Sequence, residues 1–320
     1  MNRRDRWTRP ALYFPGTDSK IVRHIVRRCR WTRRAMPEYQ KLEVTPCSGA
    51  LGAEISGVDL SCELSDDTFE EIHRAFLEYQ VIFFRGQNLT PGQQKAFSGR
   101  FGPLIAHPYL EGVRGHPEIM LVKKEKHELH NFANAWHTDS SYHAAPSLGS
   151  VLYAIDVPET GGDTLFTNMY LAYETLSEGM RTLLESLRAR HSFHGSQGLR
   201  GYGREQDLKY APSNLEDDPS IHEAVTHPVV RTHPETGRKA LYVNGMFTIG
   251  FEGLTEEESA PLLEFLYRHA TTPEFTCRFR WQRGSLAFWD NRCTMHYPVN
   301  DYPGQFRLMH RTTIRGERPR

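Results

Sequence analysis

The chain has 320 residues, of which 38% are hydrophobic, and its 39 basic residues equal its 39 acidic residues in number. A chain of this length buries a substantial core, either as one large domain or as two smaller ones. No apolar run is long enough to cross a bilayer, so the composition excludes a protein that spans a membrane as a helix.

The balanced net charge hides an asymmetry along the chain. Residues 1–35 hold ten Arg and one Lys against Asp5 and Asp18, so the remainder carries nine more acidic than basic residues. A nucleic-acid-binding core needs a basic face, which an acidic remainder does not suggest. The basic leader fits a disordered extension, an organelle transit peptide or a nucleic-acid-binding arm. We favour the disordered extension and predict one globular domain over residues 36–320.

The five cysteines are scattered and form no C-x-x-C pair: Cys29, Cys47, Cys62, Cys277 and Cys293. An odd number without metal-binding spacing argues against a disulfide framework and against a structural zinc site. Free thiols are typical of a reducing compartment. We therefore predict a cytoplasmic protein, or an organellar one if the leader is a transit peptide.

Hydrophobic spacing and capping residues predict the elements of the first half of the chain. They are a helix that follows Ser65 and closes near Tyr79, a buried strand over residues 80–84, a helix from Thr90-Pro91 through Phe97, a buried strand over 151–155 and one helix over 170–188.

The second half begins with a stretch, 194–224, that is rich in Gly, Ser, Pro, Asp and Tyr, which predicts a long loop that acts as a lid or is disordered. The elements predicted after it are a strand over 241–243, a helix from the Thr255/Glu258 capping box to His269 with a kink at Pro261, and strands over 275–281, 286–289 and 306–314. Short strands with few helices between them predict an α+β fold with a β core and helices packed outside.

His137 and Asp139 lie two residues apart, so on an extended strand their side chains point to one side. His296 follows a predicted strand and turn far downstream and is available as a third ligand. Two imidazoles and one carboxylate on one face of a metal leave open positions, as in non-haem Fe(II) oxygenases. The alternative is that His137 is an ordinary polar residue and His296 a surface histidine.

A second pattern lies on the last predicted strand. Period two places Arg307, Met309 and Arg311 on one face. Guanidinium groups that point into a barrel must meet anions, because an unpaired buried charge is costly. Arginine suits carboxylates and sulfonates through paired hydrogen bonds. The alternative is an exposed strand face with both arginines in water.

Seven motifs extend these patterns over most of the chain. They are Val81-Ile-Phe-Phe-Arg85-Gly-Gln, Trp136-His-Thr-Asp139, Gly161-Gly-Asp-Thr164, His227-Pro-Val-Val-Arg-Thr-His-Pro234, Trp289-Asp-Asn-Arg292, His296-Tyr297 and Arg307-Leu-Met-His-Arg311. With them the chain resembles, from about Leu42 to Pro319, the Fe(II)/2-oxoglutarate-dependent taurine dioxygenase family, which includes 2,4-dichlorophenoxyacetate and alkylsulfate dioxygenases. The resemblance implies a double-stranded β-helix (jelly-roll) core with flanking helices, and the use of Fe(II), 2-oxoglutarate and O2.

The resemblance also implies roles for particular residues. The implied iron ligands are His137, Asp139 and His296. The implied 2-oxoglutarate residues are Arg307, for the distal carboxylate, and Thr164 as a helper. The implied substrate residues are Arg311, for the anionic group, with His107, Tyr109, Asn134, Phe193 and Phe247.

Several of the implied substrate residues depart from the family pattern. The family segment His-Pro-x-Tyr is His107-Pro-Tyr109-Leu here, so the tyrosine is displaced by one. Ala133 occupies the place of a family asparagine, and Asn134 follows it. Phe193 and Phe247 have ordinary core packing as their alternative.

The resemblance implies hydroxylation of a small anionic substrate, in the first place taurine or another organosulfonate, with release of sulfite and an aldehyde. The alternatives within the enzymes are alkyl sulfate esters and aryloxyalkanoates. The alternative from another class is a non-enzymatic protein whose basic leader binds nucleic acid or another anion. We expect no nucleic-acid or membrane partner, and the sequence leaves open whether the chain forms a homo-oligomer.

Overall fold

The computed structural model describes residues 39–107, 112–129, 131, 133–193 and 223–320. The predictions for the basic leader, for Tyr109 and for nearly all of the 194–224 loop lie outside these residues. Residues 39–320 form one compact unit. The disordered character of the leader stays a prediction.

The described residues contain seventeen strands, most of them short. In chain order they are β1 Glu43–Pro46, β2 Ala53–Ser56, β3 Val81–Phe84, β4 Leu104–Ile105, β5 Gly112–Val113, β6 His116–Lys124, β7 Gly149–Asp156, β8 Thr164–Asn168, β9 Arg188–His191, β10 Val225–Pro228, β11 Val230–Thr232, β12 Lys239–Leu241, β13 Thr248–Phe251, β14 Thr276–Phe279, β15 Leu286–Asp290, β16 Thr294–Pro298 and β17 Arg307–Ile314.

The helices of the described part begin at capping residues that are visible in the sequence. They are α1 Asp66–Tyr79, α2 Pro91–Gly99, α3 Met169–Glu174, α4 Glu178–Ser186 and α5 Glu256–Ala270. The Ser65 hydroxyl caps α1, and Thr90 and Thr255 form capping boxes with Gln93 and Glu258. None of the described helices is long and apolar enough to cross a membrane.

Two sheets form the jelly-roll core, as predicted. The large sheet runs β1-β2-β3-β15-β7-β17-β6-β5, with β4 also paired to β17, and the small sheet runs β14-β8-β16. All pairs in both sheets are antiparallel except β2 with β3. Phe83 on β3 lies 5.7 Å from Phe166 on β8 between ring centroids, so the two sheets pack face to face.

The central strands β3, β15 and β7 of the large sheet are buried on both faces, which explains their unbroken apolar sequences. On β15, Phe288 packs with the helix side of the sheet, where α1 and α2 lie, whereas Trp289 packs between the sheets. The same alternation on β3 places Phe84 toward the helices and Phe83 inside. The apolar runs in the sequence are therefore strands whose alternate side chains belong to two different hydrophobic cores.

Two predicted elements are wrong. The helix predicted over 170–188 is two helices, because the Ser177 hydroxyl accepts a hydrogen bond from the Met180 amide and begins a new helix, and the chain is a strand from Arg188. The strand predicted over 241–243 ends at Leu241, where its pairing with β11 stops. The strands predicted near 275–281, 286–289 and 306–314 are confirmed with shifted ends.

The stack of aromatic rings between the large sheet and its helices gives a stability prediction. Phe288 is fully buried, and its ring lies 3.9 Å from that of Phe76 and 4.5 Å from that of Phe101. We expect Phe288→Ala to lower the free energy of unfolding by about 3–5 kcal/mol in urea titrations. Leu183→Ala, at a side chain 46% exposed, is the control and should change it by less than about 0.5 kcal/mol. A loss below about 1 kcal/mol at residue 288 would contradict this packing.

Candidate metal centre and cavity

A single antiparallel bridge brings the two ends of the predicted metal site together. The His137 amide donates to the His296 carbonyl at 3.1 Å, and the His296 amide donates to the His137 carbonyl at 2.8 Å. The extended strand predicted around His137 is wrong, because pairing stops after this one residue. Ser140, at a φ of 57°, then turns the chain.

The side chains of His137, Asp139 and His296 converge, as the sequence predicts. The Asp139 Oδ1 atom lies 3.6 Å from His137 Nε2 and 3.8 Å from His296 Nε2, and all three side chains are buried. Two ligand atoms that each lie about 2.0–2.2 Å from one ion are at most about 4.4 Å apart. The spacing therefore fits one metal ion held by three protein atoms.

The protonation of the two imidazoles also suits a metal. His137 Nδ1 lies 2.7 Å from the Ala135 carbonyl oxygen, so Nδ1 carries the proton and the Nε2 lone pair is free. Burial, together with the nearby His137, holds the pKa of His296 well below its usual value. His296 is therefore neutral at neutral pH, as a metal ligand must be.

The second carboxylate oxygen of Asp139 is saturated by hydrogen-bond donors. Asp139 Oδ2 lies 2.5 Å from Arg311 Nη2, 2.9 Å from the Ser150 hydroxyl and 3.2 Å from the Trp289 indole nitrogen. Burial raises the pKa of Asp139, but Arg311, His296 and His137 together outweigh burial, so the pKa lies well below its usual value. The carboxylate stays ionised and presents only Oδ1 to a metal.

Asn291 explains why the Trp-Asp-Asn-Arg motif lies beside this site. Its Oδ1 accepts hydrogen bonds from the Trp289 indole at 3.0 Å and the Asp139 amide at 3.4 Å. Its Nδ2 donates to the Ser147 hydroxyl at 3.0 Å. The Asn291 side chain thus holds the turn that carries Asp139. It also positions the Trp289 indole, which donates to the Asp139 carboxylate.

A cavity opens beside the two histidines. Its apolar lining includes Val122, Ala133, Leu152, Trp289 and Pro298. Its polar lining includes His137, His296, Arg311, Thr164, Arg307 and Lys124. The prediction that Arg307 and Arg311 share a face is confirmed, because both line this cavity and Met309 between them is fully buried.

Arg307 is buried without an anion. Its Nε and Nη2 atoms have no hydrogen-bond partner among the described residues, and its side chain lies 5.8 Å from the centroid of the Trp281 ring. The Trp281 indole donates to the Thr164 hydroxyl oxygen at 2.9 Å. Because an indole N–H only donates, the Thr164 hydroxyl accepts there and its own proton is free for an anion near Arg307.

The residues predicted to contact substrate are only partly brought together. His107 feels the charge of Arg311, and burial, with Arg311 second, lowers the pKa of His107 to about 4, so it is neutral. Asn134 Oδ1 is buried without a described partner, and Ala133, not Asn134, lines the cavity. Tyr109 lies outside the described residues.

The two predicted phenylalanines form an aromatic wall with Tyr142. The Tyr142 ring lies 5.0 Å from Phe193 and 4.9 Å from Phe247. Phe247 also lies 6.3 Å from the His137 ring. The aromatic wall therefore borders the metal centre on an apolar side.

A second buried group of potential ligands, His233, Asp290 and Cys293, does not suit a metal. His233 Nδ1 accepts the backbone amides of Glu235 and Thr236 at 3.2 and 3.1 Å, so Nε2 carries the proton and donates to Asp290 at 3.0 Å. The Asp290 carboxylate also accepts two hydrogen bonds from Arg292. This group is a buried ion-pair network.

Sequence reasoning missed several residues of the site. Ser150 and Trp281 lie in no recognised short motif, and the hydrogen bonds that they donate become visible only in the fold. Lys124 is the last residue of β6, whose charged residues resemble those of a solvent-exposed edge strand. Alternation along that strand would have signalled a buried position, had its pairing with β17 been known.

Known proteins resemble this chain over nearly all of its described length. The profile described as "Taurine catabolism dioxygenase TauD, TfdA family" matches residues 43–313. The alkylsulfatase of Acinetobacter baylyi is 39% identical over 283 residues, which cover 87% of this chain and 86% of that protein. The alpha-ketoglutarate-dependent sulfate ester dioxygenase of Pseudomonas putida is 36% identical over 295 residues, covering 88% and 92%.

Solved structures resemble it equally. A crystal structure of a taurine dioxygenase from Burkholderia xenovorans superposes with a TM-score of 0.73 at 38% identity, covering 88% of this chain and 93% of that one.

The two buried histidine groups give a prediction about metal binding. We expect His296→Ala to weaken binding of Mn(II), titrated into the metal-free protein, by more than about 100-fold, because one of three ligands is lost. His233→Ala should leave Mn(II) affinity within about twofold, although it lowers the free energy of unfolding by about 1–3 kcal/mol. Equal Mn(II) affinities in wild type and His296→Ala would refute the assignment of the metal centre.

Proposed function

This chain belongs to the TauD, TfdA family, and we propose that it oxidises a small organic sulfate ester at the carbon next to the ester oxygen. It is a 2-oxoglutarate-dependent dioxygenase, an oxidoreductase that uses Fe(II) and O2. One observation carries the proposal: a single cavity contains both the candidate metal centre and two arginines that each keep at least one guanidinium nitrogen without a partner among the described residues.

His137, Asp139 and His296 would hold the iron in this proposal. When bound, the iron with 2-oxoglutarate and O2 supplies the oxidation of a substrate C–H bond to C–OH, with release of succinate and CO2. The protein would supply three ligand atoms to the iron, and these three residues are the only protein groups that the proposal assigns to it. Because Asp139 Oδ2 is occupied by three donors, this carboxylate would offer only its Oδ1 atom to the metal.

Arg307 and Thr164 would bind the distal carboxylate of 2-oxoglutarate. The unpartnered Nε and Nη2 atoms of Arg307 offer two donors, and because the Trp281 indole donates to the Thr164 oxygen, the Thr164 hydroxyl proton is left to donate to the same carboxylate. Trp281 is a positioning residue in this arrangement. Both arginines lie in a buried site, where charge-assisted hydrogen bonds are stronger than in water.

Arg311 would hold the anionic group of the substrate. Its Nη2 is bound to Asp139, but its Nε has no described partner. An anion bound there would lie beside the candidate metal centre, with the neutral His107 nearby and the aromatic wall available to the apolar body of the substrate. Hydroxylation next to the ester oxygen gives an adduct whose C–O bond breaks, which releases sulfate and leaves an aldehyde.

The cavity favours a substrate without an ammonium group. Among the described residues that line it there is no aspartate or glutamate, and Ala133 provides a methyl group. An ammonium buried there would lack a counter-ion, which is costly. Two relatives named for sulfate esters support the same choice. An organosulfonate is the second candidate, favoured by the similar structure of a taurine dioxygenase.

A substrate panel tests this proposal. Succinate release from 2-oxoglutarate, measured under Fe(II) and air, should be fastest with a medium-chain alkyl sulfate and should be accompanied by sulfate. Taurine should react at least about tenfold more slowly, because its ammonium has no buried counter-ion. Sulfite as the main product, or a phenol from aryloxyacids, would instead identify a sulfonate or an aryloxyalkanoate as the substrate.

Steady-state kinetics should distinguish the roles of Arg307 and Arg311. We expect Arg307→Gln to raise KM for 2-oxoglutarate by at least about tenfold, since a charge-assisted hydrogen bond is lost, while KM for the alkyl sulfate changes little. Arg311→Gln should chiefly raise KM for the alkyl sulfate. The reverse pattern would show that the two arginine roles are exchanged.

A further inference from the structure

Lys124, at the end of β6, lies beside Arg307 and has no role in the function proposed above. The two residues are directly paired across the β6–β17 ladder. Directly opposite residues of an antiparallel pair share a face, with Cβ atoms about 4.5–5.5 Å apart. Both side chains line the cavity, and their exposed fractions are only 4% and 6%.

The Lys124 ammonium has few partners. Its Nζ lies 3.4 Å from the Tyr302 carbonyl oxygen, near the limit of a hydrogen bond, and 4.1 Å from the centroid of the Tyr302 ring. An ammonium has three donors. No carboxylate oxygen of the described residues lies within 4.0 Å of it, and Glu128 acts on it only from a distance. Burial, more than any charge, lowers the pKa of Lys124.

Two buried cations therefore stand opposite each other without an anion among the described residues. Like charges directly opposite destabilise a sheet, and an unpaired buried charge is costly. The Tyr302 hydroxyl donates to the Asn131 side-chain oxygen at 2.6 Å and accepts a hydrogen bond from Arg307, but a neutral hydroxyl supplies no counter-charge. The pair is suited to bind one carboxylate, whose two oxygens accept about four hydrogen bonds.

We propose that Lys124 is a second cation for the distal carboxylate of 2-oxoglutarate, which it holds together with Arg307. This inference rests on the proposed function. It makes the far end of the cavity a selectivity element, because a 2-oxo acid that ends in a methyl group leaves two buried cations unpaired.

Equilibrium binding tests this role without turnover. The protein is loaded with Mn(II) in place of Fe(II), and 2-oxoglutarate or the monoacid 2-oxobutyrate is titrated while the fluorescence of the cavity tryptophans is followed. We expect Lys124→Met to weaken 2-oxoglutarate binding by at least about tenfold, the effect of a lost charge-assisted hydrogen bond. Binding of 2-oxobutyrate should change by less than about twofold, since it presents no distal carboxylate to residue 124.

Two further variants serve as controls. Lys124→Arg keeps the charge and should bind 2-oxoglutarate several-fold more tightly than Lys124→Met. Lys95→Met removes a cation outside the cavity, where Lys95 pairs with Glu118 of β6 at 2.7 Å. This variant should leave the affinities for both 2-oxo acids unchanged.

Thermal unfolding of the metal-free protein provides an independent measurement. Lys124→Met should unfold at the same or a higher temperature than wild type, because it removes a repulsion, and added succinate should stabilise it less than it stabilises wild type. Equal binding of 2-oxoglutarate by wild type and Lys124→Met, or equal weakening of both 2-oxo acids, would overturn the role of Lys124 alone. A wild type that binds neither 2-oxo acid would overturn the proposed function as well.

Discussion

Two backbone hydrogen bonds between His137 and His296 hold the site together. They join the segment that carries Asp139 to β16 of the small sheet, and they set the two imidazoles 4.1 Å apart between ring centroids. The donors to Asp139 come from the other side, from β7, β15 and β17 of the large sheet. The candidate metal centre thus lies where residues of the two sheets of the jelly roll are hydrogen-bonded to each other. Its geometry therefore depends on the packing of the whole core.

The cavity is electrostatically divided. At one end burial holds the pKa of His296 well below its usual value and Arg311 neutralises Asp139, whereas the other end has two cations and no described anion. Apolar side chains line the cavity between the two ends, and the low dielectric constant there strengthens the electrostatic interactions of each charge. A cosubstrate that chelates a metal at one head and carries a carboxylate at the other matches this distribution along its length. In the proposed function, an anionic substrate would bind Arg311, on the side of the candidate metal centre.

The two buried histidine groups show that residue types alone do not define a metal site. His137 donates from Nδ1 to a carbonyl oxygen and keeps Nε2 free, whereas His233 accepts two backbone amides at Nδ1 and must carry its proton on Nε2. The difference lies in which backbone groups surround each ring. The carboxylates beside the two rings also differ. Asp139 keeps its Oδ1 atom available to a metal, whereas Asp290 is bound by Arg292 and His233.

The sequence by itself determined the helix starts at Ser65, Thr90 and Thr255, the shared face of Arg307 and Arg311, and the residue types of the candidate metal centre, because caps and the two-residue period are local properties. Resemblance to a family supplied the jelly roll and the chemistry. Only the tertiary structure decided the single bridge at His137 and the opposition of Lys124 to Arg307. The bridge and that opposition are pairings between distant segments, whose register is fixed when two sheets and their helices bury a common core.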